Sequence, residues 1–139
     1  MSSHQAMRGI LQTRLMEAGW ETQTAFEGKG FVGAQPDAAT PYQEVSTFFA
    51  TPDDDTLAGS SGQRGEFQVR ILWPIAQVRA QGIGAPTQRA EEIKALFPRN
   101  LVLTVSGQRV KVMSTAAISR GPAQGDRDVT VVRFRFSDR

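Results

Sequence analysis

The stretch GEFQVRILWP, Gly65 to Pro74, constrains this chain more than any other. Phe67, Val69, Ile71 and Trp73 alternate with Glu66, Gln68 and Arg70, the period-2 pattern of a strand with one buried face. Pro74 marks its end, because proline has no N–H to give a sheet ladder. After a linker containing Gly82 and Gly84, Pro86 and Pro98 bracket a helical pattern with Ala90, Ile93, Leu96 and Phe97 on one side. Leu101, Leu103 and Val105 resume the alternation, Ser106-Gly107 makes a turn, and Val110 and Val112 begin a return strand. Strand, crossover helix and hairpin make a self-contained core. It displays no catalytic group.

The flanking segments extend this core. Ser2-x-x-Gln5 matches a capping box, and Met7, Ile10, Leu11, Leu15 and Ala18 then share one helical arc, with Gly19 placed as the glycine that ends the helix. Arg14 falls inside that arc, where an arginine lays its stem on the apolar surface or reaches a buried partner or an interface. A short strand is expected at Thr22–Phe26 and a second at Tyr42–Ala50. An exposed loop covers Thr51–Arg64, with Leu57 its single large apolar residue. A strand from Arg109 to Ser119 loses its alternation at Met113, and GPAQGDR, Gly121–Arg127, reads as a hairpin loop. Val129–Phe136 closes the pattern, with Val132, Phe134 and Phe136 inward and Arg133 and Arg135 outward. Val129 and Val131 have the opposite parity, so either both faces are covered there or a bulge shifts the register. Exposed arginines also suit an edge strand. The expected fold is α+β in a single domain over residues 1–139. Its sheet is mixed and mainly antiparallel, with two helices, Ser3–Ala18 and Thr87–Phe97, packed on one face.

Composition removes several function classes. The chain has 139 residues, no cysteine and one histidine, His4. Disulfides and thiolate metal sites are thereby excluded, and a histidine at the N-terminus argues against a zinc site or a Ser-His-Asp triad. No apolar run reaches the length of a membrane span and no signal-peptide pattern precedes the helix, so a soluble chain made in a cytoplasm is expected. The glycines around Lys29 and Pro86 form no phosphate loop. Asp53-Asp54-Asp55 lacks the spacing of a calcium loop and reads as a solvated acidic turn. No metal or cofactor is implied. A small-ligand or enzymatic domain is the alternative, and Tyr42, Asp126 and Asp128 with nearby arginines are the candidates for its site. Isolated carboxylates near turns are more often turn-formers.

Charge is distributed unevenly. Residues 1–60 carry three basic and eight acidic groups, and residues 61–139 carry thirteen basic and six acidic ones. One reading is compositional bias on solvated faces. The other is complementary surfaces for head-to-tail association, with Asp53, Asp54 and Asp55 facing Arg133 and Arg135 of a neighbouring copy. The arginines are spread singly along strands, without a basic run, which argues against specific nucleic-acid binding.

The chain as a whole resembles the tail-terminator and minor tail proteins of siphophages. The matching features are the N-terminal helix, the PYQEVSTFFATP strand after a loop, the GEFQVRILWP strand, a Gly-rich linker, the AEEIKALFPRN helix end and the closing strand with alternating aromatics. The similarity lies in architecture and spacing and includes no catalytic signature. IAQVRAQGIG is longer than the linker expected after Trp73-Pro74. The resemblance implies a non-enzymatic structural role: a ring, commonly of six copies, at the head-proximal end of the tail tube. Its implied partners are further copies of itself, the tail tube protein and a head-completion or connector protein, with no membrane. Its implied place is the virion tail, after assembly in the host bacterial cytoplasm.

Overall fold

The alternation after Gly65 becomes an eleven-residue strand in a computed structural model that describes residues 3–50 and 62–139. In chain order the elements are α1 (Ser3–Leu15), β1 (Thr24–Phe26), β2 (Gly30–Phe31), β3 (Tyr42–Phe49), β4 (Arg64–Pro74), α2 (Ile75–Gln81), α3 (Gly84–Leu96), β5 (Val102–Val105), β6 (Gln108–Val112), β7 (Ala117–Gln124) and β8 (Arg127–Ser137). All of these strands join one sheet in the order β2-β1-β3-β4-β8-β6-β5, with β7 also paired to β8. β1 runs parallel to β3, and every other pairing is antiparallel. The sheet is therefore mixed and mainly antiparallel, as the sequence implies.

α1 and α3 lie on the same face of the sheet. Met7, Leu11 and Leu15 of α1 and Ala90 and Ile93 of α3 are buried in one cluster with Val45, Phe67, Val69, Ile71, Val132 and Phe134. Phe97, just past α3, stacks on Phe134 with ring centroids 4.7 Å apart and tilts against Phe67 at 5.7 Å. Gly65 permits β3 and β4 to approach closely, because a Cβ there would run into the Phe48 carbonyl oxygen. Arg14 leaves the apolar arc of α1 by crossing to the other helix. Its Nε donates to the Leu96 carbonyl at 3.0 Å, and Nη1 pairs with Glu17 at 3.2 Å.

β8 sits inside the sheet, which corrects the edge position expected for it. It pairs with β4 without interruption, from Arg127 opposite Pro74 to Ser137 opposite Arg64. Its other side is shared, with β7 alongside the first part and the end of β6 at Phe136 and Ser137. The valines of opposite parity reflect two covered faces rather than a bulge in β8. Val129 is paired directly with Leu72, and both are fully buried outside the main cluster. The register shift lies in β7, between Gly121 and Gln124.

Other boundaries move for physical reasons. The expected linker after Pro74 contains α2, which buries no residue and has no side-chain cap, so it leaves no amphipathic signature. α3 begins at Gly84 rather than Thr87, because Pro86 is tolerated in a first turn whose N–H groups have no helical partner. The strand expected over Arg109–Ser119 is two strands, parted at Met113–Ala116. GPAQGDR is mostly strand, with only Gly125 and Asp126 between β7 and β8. β1 starts at Thr24 after a 3-10 turn over Glu21–Gln23. Ser2 and residues 51–61, most of the loop expected over Thr51–Arg64, lie outside the described residues.

Candidate functional site

Arg133 and Arg135 alternate with the buried Phe134 and Phe136, so strand geometry directs both guanidinium groups to the face opposite α1 and α3. Glu66 lies opposite Arg135 and Gln68 opposite Arg133 across the β4–β8 ladder. Neither arginine makes an ion pair among the described residues. The same open face carries the Arg70–Glu44 pair at 3.2 Å and the exposed ring of Phe48. Asp53, Asp54 and Asp55, the acidic side of the expected contact, lie outside the described residues.

Of the candidates for a reactive site, Tyr42 and Asp126 meet around Arg127, whereas Asp128 lies apart on the other face of the sheet. Tyr42 is half-buried on the face away from α1 and α3, opposite Leu72, where that face is covered. Asp128 pairs with Trp73 on the helix-covered face, where it forms an ion pair with Arg120. Asp126 occupies the exposed turn before β8, with its carboxylate 3.9 Å from Arg127 Nε. Burial raises the Tyr42 phenol above its ordinary pKa, favouring the protonated form. Among the described residues no group of His, Cys, Asp and Glu is placed to hold a metal ion.

Two buried arginines carry structure that the sequence did not single out. Arg127 lies over the Tyr42 ring, 4.9 Å from its centroid, and donates to the carbonyls of Thr40 at 2.5 Å and Asp37 at 2.9 Å. Gln23 donates to the Pro41 carbonyl and Gln77 to that of Ala39. Segment 37–41 is thus pinned from β8, α2 and the turn before β1. Asp37 organises it internally, accepting from the Thr40 hydroxyl at 2.8 Å and the Ala39 amide at 3.0 Å. Those two bonds, Thr40 first, hold its carboxyl below the usual pKa. A carboxylate with a lowered folded pKa contributes stability above its unfolded value of about 4, and loses it as pH falls through the lower folded value. The stability gap between Asp37→Ala and the parent chain should therefore be present at neutral pH and shrink in that acid range. A pH-independent gap in urea unfolding would show that the carboxylate charge plays no part.

Arg89 is the second. Its Nη1 donates to the Ala18 carbonyl at 2.5 Å, and Nη2 to Gly19 at 3.3 Å and Gln43 Oε1 at 3.1 Å. The guanidinium also lies 4.2 Å from the Trp20 ring centroid. One buried side chain on α3 therefore holds the exit of α1, the left-handed Trp20 and the start of β3. Desolvation lowers its pKa, with Glu92 at 3.5 Å opposing.

The sheet face away from α1 and α3 thus exposes Arg133, Arg135 and Phe48, while the buried arginines tie the segments around it together. A sequence model of the family described as phage tail terminator protein matches residues 6–136. The chain belongs to this family, and its role is that of a structural component of a phage tail. No curated protein matches its sequence. Eight chains of solved structures match. One of them, a protein without a functional name, is 29% identical with a TM-score of 0.73, the alignment covering 99% of this chain and 95% of that one. Among the described residues no helix is long and apolar enough to cross a membrane.

Proposed function

We propose that this chain, acting as one domain, forms a closed ring of six copies at the head-proximal end of the tail tube. There it ends tube polymerisation and offers the surface to which head-completion proteins join. The family match over residues 6–136 carries this reading. Its partners are further copies of itself, the tail tube protein and a head-side connector, brought together in the host cytoplasm. A head-to-tail interface that closes yields a ring, whereas one that fails to close yields a filament. Closure is therefore the property a terminator needs.

Within the ring, Asp53, Asp54 and Asp55 of one copy face Arg133 and Arg135 of the next. Supporting this are the exposure of both arginines and their lack of an ion pair among the described residues. Exposed pairs of this kind contribute roughly 0–1 kcal/mol each, and salt weakens them.

Particles assembled without this chain should show tubes of excess length that fail to join heads. Tails of normal length and normal joining would overturn the terminator reading. Changing Asp53, Asp54 and Asp55 to lysine should impair capping, and adding Arg133→Glu and Arg135→Glu in the same chain should partly restore it. Normal capping by both single-sided variants would remove these five residues from the interface.

A further inference from the structure

We propose that neighbouring copies join by continuing the sheet. The free edge of β5 in one copy takes the edge of β2, Gly30–Phe31 with the exposed Val32 after it, at the opposite end of the sheet in the next. This deepens the ring reading and rests on it.

The edge of β5 has the features of a strand built to be paired. Val105 and Gln108 close a two-residue turn, Ser106 at φ 50° and Gly107 at φ 84°, the geometry of a tight hairpin. Pairs in such a ladder alternate between hydrogen-bonded and open. Val112 N–H donates to the Leu101 carbonyl at 2.8 Å, so Leu101, Leu103 and Val105 bond inward to β6. The N–H and C=O groups of Val102 and Thr104 then point out of the sheet. β5 carries no charge or proline to blunt that edge, unlike most free edges. Val102 and Val105 are 44% and 55% exposed.

Space for an added strand lies beside this edge. Leu103 and Val105 of β5 and Ala6, Gly9 and Thr13 of α1 line one recess. Nothing lies within 4 Å of where a Gly9 Cβ would be. A strand laid along β5 would set one side chain over Gly9.

The other end of the same sheet supplies a segment of matching chemistry. β2 is its terminal strand, and Val32, which follows it, is 44% exposed. Charge selects this end over a second β5. From Ile93 to Gly125 the chain contains no carboxylate, and Arg109 and Lys111 flank β5 on its partner strand. Two such hairpins would repel. From Trp20 to Glu44 the chain carries Glu21, Glu27, Asp37 and Glu44 against Lys29 alone. A basic end meeting an acidic end is attractive and has a direction.

The 139-residue chain has no cysteine, so Val32→Cys with Thr104→Cys introduces its only thiols. Assembled on tail tubes and oxidised, this variant should give a ladder of covalently linked copies. Adding Gly9→Gln, which fills the recess and improves helix propensity, should abolish the ladder while the melting temperature holds or rises. Rings imaged on tubes without a ladder would overturn the sheet-edge contact and leave the terminator reading standing. Dimers from Thr104→Cys alone would overturn it in favour of β5 pairing with β5. A ladder that survives Gly9→Gln would overturn the seat over α1. Neither rings nor ladder would overturn both readings.

Discussion

Phe97→Ala should lower the unfolding free energy by about 3–5 kcal/mol, the usual cost of emptying a buried aromatic site. The ring is fully buried between Phe67 and Phe134. These come from β4 and β8, the two longest strands, so the neighbours cannot collapse into the space without bending the middle of the sheet. Phe97→Leu refills much of the volume and should recover most of the loss. Urea unfolding with an unchanged slope is the measurement, and a loss under about 1 kcal/mol would show that the pocket closes on itself.

The second large effect is expected at Arg89. Arg89→Met keeps the length of the side chain but strands acceptors at Ala18, Gly19 and Gln43, the last fully buried. Stranding a buried acceptor costs roughly 1–3 kcal/mol, and no buried counter-charge is left behind because Glu92 is half exposed. Here the carbonyl of exposed Gly19 can turn to water, which keeps the expected loss within this range. Arg89→Lys should rescue little, since an ammonium cannot bridge acceptors on two chain segments as a planar fork does. Full stability of either variant would mean that the exit of α1 is held by Trp20 packing alone.

The parts of this fold that sequence exposes are those in which one face is dry and the other wet. Phe67, Val69 and Ile71 alternate with half-exposed residues, so β4 is legible, and the arc from Met7 to Leu15 does the same for α1. The signal fails where both faces are covered or neither is. Leu72 and Val129 are buried beyond the main cluster, which blurs the parity of β4 and β8. α2 buries nothing, and so resembles a linker. The position of β8 is illegible for another reason: its neighbours β6 and β7 are set by a break at Met113–Ala116 that contains neither glycine nor proline, only Ser114 at the bend. Arg133 and Arg135 were correctly placed facing outward, but on an edge that does not exist. Arg89 escaped notice although it precedes Ile93 by four residues and so shares the buried side of α3. An arginine at such a position marks a partner within the fold, as Arg14 on α1 does through the Leu96 carbonyl.

The placement of β8 also bears on how the chain matures. Synthesis delivers β1 through β7 before it, yet β8 is the strand that β4, β6 and β7 all need as a neighbour. Until it arrives, β4 has an unpaired side, β6 and β7 have no connection to β3, and the apolar arcs of α1 and α3 lack half of their floor. Pairings of long sequence separation are the slow ones to form, and here they wait for one late segment. A nascent chain thus cannot present the two ends of a finished sheet before translation has passed Ser137. Fragments that lack β8 leave the facing edges of β4, β6 and β7 without their shared neighbour, and exposed strand edges of this kind pair indiscriminately.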